Sequence, residues 1–159
     1  MTMDGQKRFA RQRPVGFLLA QLGSHAAGQF ADRLAPFGLK PPDAGILRML
    51  SHSEGISQQD LAGRLRINPS RLVSLVDVLE ERGLVERRGN EQDRRTYALH
   101  LTATGRRTLE DVGRAARAHN DELCRALTAE EREQLTALLA RIADDQGLSP
   151  GVHPGYRAL

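Results

Sequence analysis

The chain has 159 residues and a mass of 17.5 kDa, which suits one domain of ordinary size rather than two. Hydrophobic residues make up 40% of it, excluding wholesale disorder, while its apolar runs fall far short of a membrane span. The lone Cys124 has no partner for an intrachain disulfide, and a net charge of +3 says little until its distribution along the chain is known.

Residues 1–13 are basic, with Lys7, Arg8, Arg11 and Arg13 against Asp4, and lack the long apolar stretch of a signal peptide. They are expected to form a flexible N-terminal segment of a soluble, cytoplasmic protein. From Pro14 to Phe37, Val15, Leu18, Leu19, Leu22, Ala26, Phe30 and Leu34 recur at helical spacing, and Pro36 and Gly38 end the run. Pro41-Pro42-Asp43 open a second helix with Ile46, Leu47 and Leu50 as its apolar positions, closed by Gly55. Ser57 and Asp60 have the spacing of a capping box, flanked by Ile56 and Leu61 as a hydrophobic staple. That short helix runs through Arg66.

Asn68 is a favourable N-cap and Pro69 a favourable first residue, so another helix begins there and stops at Gly83. Two short helices joined by a tight turn make a helix-turn-helix. The second buries Leu72, Leu75, Val76 and Leu79 and leaves Ser70, Arg71, Ser74 and Asp77 on another face. That small, polar face suits a major groove, which large side chains would hold at a distance.

The period then changes. Leu84 to Arg88 reads as a strand, Gly89-Asn90 opens a turn, and Thr96 to Leu101 alternates, with Tyr97, Leu99 and Leu101 on one face. The result is a two-stranded hairpin with a charged tip around Asp93-Arg94-Arg95. Thr102 caps a long helix toward Leu127, and Thr128 with Glu131 caps another to about Asp144, with Leu135, Leu138, Leu139 and Ile142 as its stripe. Residues 147–159, with Pro150, Gly151, Pro154 and Gly155, are expected to be an irregular tail. The expected fold is mainly α with a small β-hairpin wing: a winged helix over residues 40–102, flanked by further helices at 14–37 and 103–145. Charge follows this layout. Residues 87–107 hold six arginines and two acids, and residues 121–133 hold five acids and two arginines. One face is thus suited to a polyanion.

Leu61-Ala62-Gly63-Arg64-Leu65, Leu72 to Glu80, Arg82 to Arg88, Asp93-Arg94-Arg95 and Leu101-Thr102 together resemble the MarR family (multiple antibiotic resistance regulators). The most specific pieces are Asp93 and Arg95, followed at the expected interval by Leu101-Thr102. The resemblance implies a homodimeric winged-helix regulator, usually a repressor released from a pseudo-palindromic operator by a small molecule or by oxidation. It also implies that the first and the last two helices interlock as the dimer lobe, which agrees with apolar stripes that the winged helix is too small to cover. Arg95 resembles the residue that enters the minor groove, and Asp93 the acid that orients the wing; Arg94 is a phosphate contact or merely exposed.

For the duplex the candidates are Ser57 and Gln58 at one helix N-terminus, and Asn68, Ser70, Arg71 and Ser74 on the recognition helix. Arg71 is placed for guanine, and Arg87 and Arg88, with Arg106 and Arg107, for phosphates. Three departures stand out: Arg66 where relatives have glycine, Pro69 and Ser74 where they often have Arg or Lys, and a wing turn without the common proline.

His25 and His52 are candidates for the effector pocket that the resemblance places between the two lobes, with a small aromatic or phenolic effector. The histidines have no metal spacing, and no cofactor is expected. Cys124 admits a thiol-switch reading, but its neighbours Asp121 and Glu122 differ from the electropositive surroundings of reactive cysteines. A winged-helix protein-interaction module without DNA binding is the other alternative, disfavoured by the arginines of the wing. No nucleophile elbow, phosphate-cradling loop or paired carboxylates argue for an enzyme.

Overall fold

The computed structural model describes residues 13–89 and 96–156 and builds six α-helices and a three-stranded sheet from them. The helices are α1 Val15–Leu34, α2 Pro41–His52, α3 Gln58–Leu65, α4 Pro69–Glu81, α5 Ala103–Leu123 and α6 Ala129–Asp145. The strands are β1 Ile56–Ser57, β2 Val85–Gly89 and β3 Tyr97–Leu101, antiparallel in the spatial order β1-β3-β2.

Local chemistry explains the helix starts. Ser57, Asn68, Thr102 and Thr128 each accept a backbone N–H from the first turn, at 3.0, 3.0, 2.9 and 3.2 Å. Each cap satisfies a donor that has no partner inside its helix and is worth roughly 0.5–2 kcal/mol. The reciprocal half of the box forms at Thr128, whose N–H donates to Glu131 at 2.8 Å. At Ser57 the expected box is only half made, because Asp60 accepts the Ser57 hydroxyl at 2.8 Å instead.

The expected hairpin gains a third strand. Ile56 pairs with Leu99 and Ser57 with Ala98, and Gly55 N–H donates to Leu99 O at 2.9 Å. A two-residue strand has no alternation to read. The core lies between α2, α3, α4 and this sheet, where Ile46, Leu47, Leu61, Leu72, Leu79 and Leu99 are each fully buried. Burying one such side chain contributes about 1.5–3 kcal/mol.

Contacts at both ends fix the winged helix to its surroundings. Arg82, the residue after α4, donates from Nη1 to Gly38 O and from Nη2 to Phe37 O, both at 2.6 Å, and so satisfies carbonyls of the α1–α2 link. At the other end, Thr102 Oγ1 donates to Gly83 O at 2.6 Å, and Gly105 packs directly on Leu84. A Cβ at position 105 would lie 1.9 Å from the Leu84 carbonyl oxygen, so only glycine lets α5 start this close to the wing.

Beyond the core, α1 packs along α5. Yet Val15, Phe17 and Leu22 of α1 stay exposed, α6 buries none of its residues, and Leu138 is 54% exposed. The segment after α6, expected to be an irregular tail, has no helix or strand up to residue 153 but is docked on the core. Pro154–Tyr156 form a 3-10 turn, and Tyr156, 5% exposed, donates its hydroxyl to Pro42 O at 2.5 Å. Among the described residues, no helix is long and apolar enough to cross a membrane.

Candidate nucleic-acid interface and effector cleft

The turn between α3 and α4 determines how α4 is presented. Arg66 adopts φ 55° and ψ 41°, the only positive φ outside glycine among the described residues, where relatives are expected to carry glycine. An L-residue in this conformation is strained by about 1–2 kcal/mol. Ile67 N–H closes the turn on Ala62 O at 3.1 Å, and Asn68 then starts α4.

Ser70, Val73, Ser74 and Asp77 form the exposed ridge of α4. This revises the expected face: Arg71 is half-buried, and Val73 stands in the ridge at 36% exposure. Successive side chains turn by about 100°, so the residue after Ser70 is swung away from the ridge that the third and fourth continue. The serine hydroxyls already donate within the helix, Ser70 to Asn68 Oδ1 at 2.7 Å and Ser74 to Ser70 O at 3.3 Å. In this arrangement their free lone pairs are acceptors, suited to the amino groups of adenine or cytosine rather than to phosphate.

Several expected contacts have other work. Ser57 serves as a cap, its hydroxyl donating to Asp60 Oδ2 and accepting the Asp60 N–H, which leaves it no proton for a phosphate. Arg87, expected on phosphate, is an internal staple with its side chain only 15% exposed. It donates from Nε to Gln58 Oε1 at 2.8 Å, from Nη2 to Asp77 Oδ1 at 2.6 Å and from Nη1 to Glu80 Oε2. Its backbone N–H also donates to Glu80 Oε1 at 3.2 Å. β2 is thereby joined to both α3 and α4. Gln58 keeps its amide NH2 free of this contact. Arg88 is exposed and pairs with Glu86, its Nε donating at 3.0 Å. Arg106 pairs with Glu54. Asp93, Arg94 and Arg95 lie outside the described residues.

A cleft of about 670 Å³ opens between α1, α2, α5 and the tail. Phe30, Leu109, Val112 and Val152 give it apolar walls, and Arg48, His52, Arg117 and His153 give it polar ones. Among the described residues no carboxylate lines it, and neither Arg48 nor Arg117 forms an ion pair. Of the two histidines expected here, His52 is in the wall and His25 is not. His25 instead acts electrostatically on His119, whose ring lies 5.6 Å from that of Phe30. Burial first, then electrostatic interaction with Arg33 and with His25, hold the His119 pKa below the ordinary value. Burial likewise lowers that of His153. Neither Arg48 nor Arg117 carries a motif, and only the fold brings them together. Cys124, half-buried at the C-terminal end of α5, does not line the cleft.

A helix-turn-helix with a small polar ridge, stapled to an antiparallel hairpin and backed by long helices, defines the winged-helix class of DNA-binding proteins. The comparisons with known proteins agree. The MarR family profile matches residues 37–96. The putative transcriptional regulatory protein for the hcr operon of Thauera aromatica is 31% identical over 143 residues, 85% of this chain and 86% of that protein. The HTH-type transcriptional repressor Rv2887 of Mycobacterium tuberculosis is 29% identical over 136 residues, 86% of this chain and 98% of the relative. The crystal structure of Rv2887 complexed with DNA matches with a TM-score of 0.70 at 27% identity, covering 82% of this chain and 98% of that one. Its complex with salicylic acid matches at 0.66 and 29% identity, covering 84% and 98%. The chain belongs to the MarR family of transcriptional regulators.

Proposed function

We propose that this protein is a homodimeric transcriptional repressor of the cytoplasm that leaves its operator when a small aromatic carboxylate enters the cleft. Two copies join through α1, α5 and α6, covering the apolar side chains that one copy leaves in water. Each copy inserts the ridge Ser70, Val73, Ser74 and Asp77 into a major groove, while Arg95 of the wing enters the adjoining minor groove. Arg88 and the Gln58 amide meet phosphates beside them.

The observation that carries the effector reading is the composition of the cleft: Arg48 and Arg117, apolar walls and, among the described residues, no carboxylate. An anion with an aromatic body fits it, since a guanidinium takes a carboxylate bidentately while the ring is buried. Salicylic acid, bound by the relative Rv2887, has this chemistry. The cleft separates α1 and α5 from α2, so a ligand there favours a lobe arrangement in which the two α4 helices no longer match grooves about 34 Å apart.

Fluorescence anisotropy on labelled duplex tests this reading. Affinity is expected to fall steeply with salt, to drop for Arg95→Ala at unchanged helix content, and to drop for the parent chain on adding sodium salicylate. Unchanged affinity for Arg95→Ala would remove the wing from the interface. Indifference of the complex to salicylate would remove the effector.

A further inference from the structure

The cleft has a wall that the winged helix and the long helices do not supply. Gly151, Val152, His153 and Pro154 of the tail line it opposite α2 and α5. This wall is held by a specific anchor. The Tyr156 ring is buried over α2, and its hydroxyl donates to Pro42 O at 2.5 Å across 114 positions of sequence. The fit depends on Gly45, where a Cβ would lie 2.5 Å from the Tyr156 hydroxyl oxygen. Burial, and then the nearby Asp43 carboxylate, raise the phenol's pKa well above its ordinary value, so it remains a donor at any physiological pH. A second lock lies inside the segment: Gly155 N–H donates to His153 Nδ1 at 2.9 Å. The neutral imidazole then carries its proton on Nε2.

We propose that residues 147–156 are a latched wall of the effector site, with Tyr156 as the latch and with Val152 and His153 as direct contacts of the bound aromatic carboxylate. Val152 packs against the core and offers an apolar surface to the ring. His153 offers an N–H to the carboxylate beside the two guanidinium groups. The site is complete only when the latch is seated, so ligand binding and tail docking favour each other. This inference rests on the effector reading above.

The test is calorimetric titration of the full-length dimer with sodium salicylate, for the parent, Tyr156→Ala, Gly45→Ala and the double variant. Operator affinity without ligand is measured alongside. Both single variants are expected to bind salicylate about tenfold more weakly and to keep the parent's operator affinity. The double variant is expected to lose no more than either single one, because both changes open the same latch. A merely structural role would lower operator affinity together with ligand affinity, and that result would overturn the proposal. Parent-like salicylate binding by both single variants would also overturn it, while leaving the effector site standing. Additive losses in the double variant would contradict a shared latch. If the parent itself binds no salicylate, the effector reading fails, and the tail has no ligand to contact. Tyr156→Phe, which keeps the ring and removes only the bond to Pro42, supplies a milder variant should Tyr156→Ala unfold; its weaker binding supports the latch and parent-like binding contradicts it.

Discussion

Arg87 shows how a residue's neighbours decide its role. In sequence it belongs to a run of arginines, and a run of arginines next to a wing suggests phosphate. In the structure its guanidinium is satisfied by Gln58, Asp77 and Glu80, from residues 29, 10 and 7 positions away. Such pairings are set by tertiary structure and leave no local pattern to read. Hydrogen bonds to charged groups contribute about 1.5–3 kcal/mol, so Arg87→Gln is expected to lower the melting temperature by several degrees. The slope of log affinity against log salt should stay as in the parent. A slope shallower by about 0.9 per lost contact would mean that Arg87 touches phosphate after all. At the same scale, His153 gives a pH dependence. Its pKa is held below the ordinary 6.5 by burial, so the docked tail favours the neutral ring. Docking is therefore fully supported above 6.5 and weakens as the pH falls below it, because the undocked ring takes up a proton that the docked one resists. Protonated Nδ1 also no longer accepts the Gly155 N–H. The imidazole resonances of His153 should titrate with a midpoint below 6.5; a midpoint above it would contradict the packing.

Elements whose signals are local were readable in the sequence. The caps at Ser57, Asn68, Thr102 and Thr128 depend on residues two or three apart, and all four form. Strand β1 was not readable, because its two residues exist as a strand only through Leu99 and Ala98. The docking of the tail was not readable for a related reason. Its prolines and glycines signal irregular backbone, which is correct locally, but its order comes from a groove on α2 at Gly45. The turn at Arg66 was readable as a departure from the family, and its strain follows from the left-handed φ. Arg66→Gly is expected to stabilise the dimer by about 0.5–1 kcal/mol in urea denaturation at fixed protein concentration, the relief of strain exceeding glycine's entropic cost. Lower stability would show that the Arg66 side chain contributes contacts worth more than the strain.

For the molecule as a whole, charge and hydropathy divide the labour. The uncovered side chains of α1 and α6 call for a second copy, the mostly polar ridge of α4 faces away from the core, and the cleft with Arg48 and Arg117 lies between α1, α2, α5 and the tail. The helix order was readable because each helix is amphipathic on its own, and the hairpin because Thr96 to Leu101 alternates after a change of period. The cleft was only partly so: His52 was expected in it, but Arg48, Arg117 and the tail converge there through the fold alone. The most direct test of two ridges acting together is selection of duplexes from a random library by the purified protein. The expected product is an inverted repeat whose half-site centres lie about one helical turn, 10–10.5 bp, apart. Recovery of no enriched sequence, or of a single unrepeated site, would contradict a dimer that reads DNA with both copies of α4.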